Sequence, residues 1–215
     1  RIVGIRIMSA GNILRLIMEV AMAKNRKTAP IKLQHEINMI FSVLLVFIFG
    51  GAIATIVNNI YNLIYQNEII EVVEFSLEKF AIYFLGTTVL VPIIEEVLFR
   101  KVLLTNLKNY IGMKAAIVVS SFLFGLMHGE IFDFVYTFII GILLSYLYIR
   151  LNKIIYPMIM HIGFNLMAIL IQMIENSSCE FYVVNIGIGL MTSVFVWNKI
   201  LLMIRRSSDN EVQCM

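Results

Sequence analysis

The sequence predicts an all-α membrane protein, a polytopic bundle of about six transmembrane helices, and three observations carry that prediction. The 215 residues are 60% hydrophobic and only 14% charged, with a mean hydropathy of +0.89, whereas soluble domains are roughly 25% charged. Apolar runs recur near the length of about 20 residues that a helix needs to cross about 30 Å of hydrocarbon. The lysines and arginines, finally, gather in alternate loops, the pattern that marks the cytoplasmic side of membrane proteins.

Residues 1–36 are basic and partly amphipathic. Ile13, Leu14, Leu16, Ile17 and Val20 stand against Arg15, Lys24, Arg26 and Lys27, a pattern that reads as an interfacial helix. The chain opens on Arg1, with Met8, Met18 and Met22 as possible initiators. The first strongly apolar run begins near Ile37 with no small-residue cleavage pattern after it, so it reads as a span and not as a cleaved signal peptide. Residues 37–206 read as one membrane-embedded domain, with spans at about 37–60, 80–100, 114–130, 133–150, 154–174 and 181–204. A short tail, 207–215, follows. Three prolines and no Gly/Ser-rich linker leave no mark of a second globular domain.

With both termini placed in the cytoplasm, every one of the 17 cationic side chains except Lys79 falls on the inner side. Glu68, Glu71, Glu74, Glu78, Glu130, Asp133, Glu175 and Glu180 fall on the outer side. The dispersed cations form no patch interleaved with aromatics, which argues against nucleic acid as a partner. The lipid bilayer is the partner that composition requires. Cys179 and Cys214 have neither a disulfide framework nor metal-type spacing.

Ionisable groups inside a span are costly and mark candidate functional sites. The second span contains Pro92-Ile-Ile-Glu95-Glu96-Val-Leu-Phe-Arg100, the third ends Phe124-Gly-Leu-Met-His128, and the fifth holds His161-Ile-Gly-Phe-Asn165. Glu96 and Arg100 stand four apart with the acid first, the favourable order for an intrahelical pair. Glu95 projects about 100° away, so it must find a partner on another helix or take up a proton. If a turn near Tyr110 joins the second and third spans, Glu95 and His128 lie at similar heights, about 1.5 Å per residue from that turn. His161 and Asn165, four apart, share one helix face. His35 belongs to the basic N-terminal region and carries no role, while Asn58, Asn59 and Gln172 lie toward span ends, where interfacial solvation accounts for them.

Glu-Glu-x-x-x-Arg, Phe-x-x-x-His and His-x-x-x-Asn, in that order and each on an apolar helix, resemble the CPBP family of intramembrane proteases. That family, also called Abi, includes the type II CAAX prenyl endopeptidases. The resemblance covers about residues 80–174, and before Leu77 and after Glu175 the chain is similar only as generic spans. It implies peptide-bond hydrolysis of a membrane-associated peptide or protein substrate. In the family's usual mechanism Glu95 acts with His128 to activate water, His161 and Asn165 form the oxyanion hole, and Glu96, Arg100 and Phe124 support the site. The residue types agree, since a carboxylate can act as general base and an asparagine offers an N–H without titrating.

Glu95, His128 and His161 could instead supply three zinc ligands with water in the fourth place, as in a metalloprotease. No His-Glu-x-x-His is present, and Asn165 is a poor ligand where a second histidine would complete an i, i+4 pair. The reading therefore prefers a glutamate mechanism with no cofactor and keeps a divalent metal, zinc first, as the alternative. A bacteriocin-immunity or other binding or scaffold protein that retains the fold is the rival function. A transporter would require inverted repeats and paired broken helices, and neither is evident in the sequence.

Overall fold

The computed structural model describes residues 31–65, 77–172 and 179–213. The expectations for residues 1–30, for the acidic loop 66–76 and for the side chains of His35 and Gln172 lie outside that set. The chain divides into two units, residues 1–41 and residues 42–215. The first is described only from Ile31, in helical conformation, and the site belongs to the second.

Six helical rods make up the described residues, as expected for an all-α bundle. They are α1 (Ile31–Ile64), α2 (Leu77–Ile111, built of five consecutive helical pieces), α3 (Met113–Leu126), α4 (Ile131–Leu151), α5 (Ile155–Gln172) and α6 (Cys179–Gln213). Four contain stretches long and apolar enough to cross a membrane: Asn38–Ile64, Glu78–Ile111, Ile131–Leu151 and Cys179–Ile204. The protein is a multi-pass membrane protein.

The expectation of spans near 20 residues needs correction at α3. Its 14 residues rise only about 21 Å at 1.5 Å each, whereas the 18 residues of α5 lie within the range of a span. The cause in α3 is its end. Gly129 adopts φ +83°, a left-handed conformation that glycine takes at little cost, and the chain turns there into α4. The expected span 114–130 therefore stops at Leu126, and His128 sits in the turn beyond the helix. The second span departs in the other direction, continuing past Arg100 to Ile111 until Gly112, at φ +79°, breaks it. That break is the turn expected near Tyr110.

Lipid tails are as apolar as leucine, so helices in a bilayer associate through close packing and interhelical hydrogen bonds. The core of the second unit is Leu45, Val46 and Phe49 from α1, Ile140, Leu144 and Leu147 from α4, Met160 and Phe164 from α5, and Val196 and Ile200 from α6. Against it α1 and α5 cross backbone to backbone. A Cβ on Gly50 would lie 2.0 Å from the Met160 carbonyl oxygen, and one on Gly163 would lie 2.4 Å from that of Phe47. The contact is reciprocal, and it brackets His161. Asn59, expected to be solvated at a span end, is instead fully buried. It donates to Thr55 O at 2.7 Å and accepts from Asn185 Nδ2 on α6 at 3.5 Å, because in hydrocarbon an amide without partners is costly.

Gly163→Ala and Gly50→Ala should each lower the thermal midpoint in detergent, by the equivalent of about 1–3 kcal/mol of overpacking. Gly187→Ala, where an added Cβ meets nothing within 4 Å, should leave it unchanged or raise it slightly. Equal midpoints for all three variants would contradict the crossing.

Candidate active site

The local structure of α2 begins with Pro92, which has no N–H to donate and crowds the preceding turn. The rod responds by widening. Gly86–Leu90 is π-helical, and the N–H of Val91 bonds to Gly86 O, five residues back. In that register the next N–H would go to Thr87 O, but the next residue is Pro92. The amide of Asn165 on α5 fills the place, donating from Nδ2 to Thr87 O at 3.0 Å. A second π-helical stretch, Val97–Leu104, follows the two glutamates. Such widened turns occur often at functional sites because they redirect side chains.

Glu96, the last residue between the two widened stretches, is fully buried, and Arg100, within the second, is 1% exposed. Arg100 Nε approaches Glu96 Oε2 at 3.2 Å, an ion-pair contact whose geometry misses hydrogen-bond alignment, so both atoms lack a hydrogen-bond partner among the described residues. Arg100 Nη2 donates to Gly141 O on α4 at 3.3 Å. The guanidinium carbon lies 4.5 Å from the centre of the Phe124 ring and 5.9 Å from that of Phe99, near enough for cation–π attraction.

His161 of α5, 4% exposed, meets both glutamates. Its Nδ1 lies 3.0 Å from Glu96 Oε1, and its Nε2 lies 3.7 Å from Glu95 Oε2. Glu95 is the more accessible carboxylate, at 18% exposure. It has found a partner on another helix, as expected, but that partner is His161 and not His128. Glu96 serves Arg100 and His161 together, a second role that the i, i+4 spacing does not reveal.

The His128 ring is held by the backbone of α3. Its Nδ1 lies 2.8 Å from Phe124 O. A carbonyl can only accept, so Nδ1 carries the hydrogen there and, in the neutral ring, Nε2 presents a lone pair. The buried ring of Phe124 joins the parts, standing edge-on to His128 at 4.8 Å, to His161 at 5.7 Å and to Phe99 at 5.3 Å between centroids. Glu95, Glu96, Arg100, Phe124 and His161 thus form one connected cluster, with His128 on its rim and Asn165 one helical turn along α5.

Sequence reasoning missed Thr87 and Gly141, both of which act through backbone carbonyls. Thr87 had a signal, standing five residues before Pro92; Gly141 had none. An apolar furrow of about 470 Å³ between α2 and α3, lined by Leu98, Phe99, Val102, Tyr110, Leu123 and Met127 among others, holds no carboxylate or imidazole.

Among the described residues no three of His, Cys, Asp or Glu come together to hold a metal. Nδ1 of His161 is held by Glu96 and Nδ1 of His128 by a backbone carbonyl, which leaves Nε2 of each ring as the nitrogen that would face a ligand, the way a ligating histidine is usually oriented.

Residues 77–167 match the family described as type II CAAX prenyl endopeptidase Rce1-like. The chain is 28% identical over 82 residues to YdiL of Bacillus subtilis (strain 168), named as a candidate membrane peptidase. The match covers 38% of this chain and 34% of that protein, so the chain spans about a third of the length of the curated relative it matches. No solved structure matches the chain.

Arg100→Ala would strand Glu96 in hydrocarbon and should cost about 3–5 kcal/mol of stability, read as a lower unfolding midpoint. The double variant Glu96→Gln/Arg100→Met, which removes both charges, should recover most of that loss. A double variant no more stable than the single would contradict the buried pair.

Proposed function

We propose that the chain, whose residues 77–167 match the type II CAAX prenyl endopeptidase Rce1-like family, belongs to the CPBP family and is an intramembrane endopeptidase hydrolysing a peptide bond of a membrane-associated peptide or protein. The observation that supports this most is the meeting of Glu95 and Glu96 on His161, three ionisable groups held at a depth where each is costly unless used.

In this proposal Glu95, the accessible carboxylate, draws a proton from a water molecule as the water attacks the scissile carbonyl. The Nε2 lone pair of His128 accepts from the same water and orients it. A base of this kind contributes typically about 10²–10⁴ in rate. Negative charge then develops on the carbonyl oxygen and needs donors aimed at it. Asn165 spends one amide hydrogen on Thr87 O and has a second to give. His161 Nε2, which faces Glu95, is the second donor when that nitrogen carries hydrogen. Collapse of the tetrahedral intermediate passes the proton from Glu95 to the leaving amine. Glu96 and Arg100 touch no substrate in this scheme; they hold the His161 ring in place. Every step uses the chain's own groups, and none is routed through a metal.

The test compares membranes from cells expressing wild-type protein and Glu95→Gln, by mass spectrometry of newly formed peptide N-termini, with lysates treated with the zinc chelator 1,10-phenanthroline in parallel. Cleavage products should be present with wild type, chelated or not, and should fall at least about 10²-fold with Glu95→Gln. Equal products from Glu95→Gln would exclude Glu95 as the base, and chelator-sensitive cleavage restored by zinc would exclude the metal-free route.

A further inference from the structure

Behind the Glu96–His161 contact, away from Glu95, α2, α3 and α4 enclose a group of polar atoms that the proposed chemistry does not use. Arg100 Nε and Nη1, Glu96 Oε2, Ser121 Oγ and Ser145 Oγ are all buried, and none has a hydrogen-bond partner among the described residues. They gather around Gly141. Arg100 Nη2 donates to its carbonyl at 3.3 Å, and the Cβ of Ser121 lies 3.1 Å from where a Cβ on Gly141 would stand. Ser145 follows one turn later on the same helix, four residues on. The polar line continues along α2 and α4. Thr105 Oγ1 donates to Arg100 O at 3.0 Å and lies 3.5 Å from the hydroxyl of Tyr148, a half-buried residue three positions beyond Ser145.

A single unmet buried group costs roughly 1–3 kcal/mol. Arg100 Nε and Glu96 Oε2 face each other as an ion pair at 3.2 Å, but Arg100 Nη1 and the two serine hydroxyls have no such partner among the described residues, and three atoms of this kind in one seam call for a ligand. Its chemistry follows from theirs. Arg100 only donates, Glu96 Oε2 only accepts, and the serine hydroxyls do both, so the ligand must accept from a cation and donate to an anion. An anion would be repelled by Glu96 and a cation by Arg100. Water meets both demands, and buried water typically makes about three hydrogen bonds to polar groups of this kind. We propose that the seam around Gly141 is a water-binding site, with ordered water held by Arg100, Glu96, Ser121 and Ser145 at the back of the His161 cluster. The site rests on the hydrogen bonding of the folded protein alone and stands whether or not the protein is a peptidase.

Water-edited solid-state NMR on bilayer-reconstituted, serine-labelled protein tests this directly. The Ser121 and Ser145 signals are assigned by their loss in Ser121→Ala and Ser145→Ala. Both signals should receive magnetisation rapidly from water protons. Each alanine variant should also lower the thermal midpoint by about 2–4 °C, and the double variant by less than the sum, since the two hydroxyls share one hydration site. The opposite result would overturn the proposal: no transfer from water to either serine, with alanine variants as stable as wild type or more so, because an alanine in place of a dry, unpartnered hydroxyl removes a penalty.

Discussion

The buried contact of Glu96 with Arg100 and His161 is the constraint on which the rest of the site depends. Two opposite charges taken out of water are tolerable only when each has close partners, and losing one strands the other. Glu96 is therefore obliged to stay within 3.2 Å of Arg100 and 3.0 Å of His161. That obligation ties α2 to α5. Arg100 extends the tie to α4 through Gly141 O, and to α3 through the face of Phe124. One carboxylate thus fixes four helices, and Glu95, its immediate neighbour, is left as the accessible member of the pair.

Backbone features then set how finely that tie is adjusted. Pro92 removes a donor, the turn before it widens, and the carbonyl of Thr87 becomes available to Asn165. On the other side of α5, Gly50 and Gly163 let the backbones of α1 and α5 touch. His161 and Asn165 are consequently held from two sides, by a broken hydrogen-bond ladder on α2 and by a glycine crossing on α1. Neither device depends on the hydrophobic effect, which supplies little between helices in lipid.

Much of this was legible in the residues and some of it was not. The order of apolar runs gives six helices, and intramembrane charge singles out Glu95, Glu96, Arg100 and His161, because hydropathy and the cost of charge are properties of the residues themselves. The Glu96–Arg100 pair follows from i, i+4 spacing. The partner of Glu95 does not, since spacing within helices says nothing about their rotation against one another; depth alone suggested His128, and the structure gives His161. The short α3 was hidden because Gly129 can sit in a helix or end one, and its positive φ is decided by the turn into α4. Asn59 read as interfacial because its partner, the half-buried Asn185, lies on a helix 126 residues away.

The central claim is that Glu95 and His161, which meet in the site, act as one chemical unit within a multi-pass membrane protein whose residues 77–167 match the type II CAAX prenyl endopeptidase Rce1-like family. The most direct measurement is the cleavage rate of a substrate, once identified, by reconstituted Glu95→Gln, His161→Ala and the double variant. Residues that act as a unit lose their effect together, so the account predicts a double variant no slower than the slower single variant. Losses that multiply would mean that the two residues act independently, and would contradict the site described.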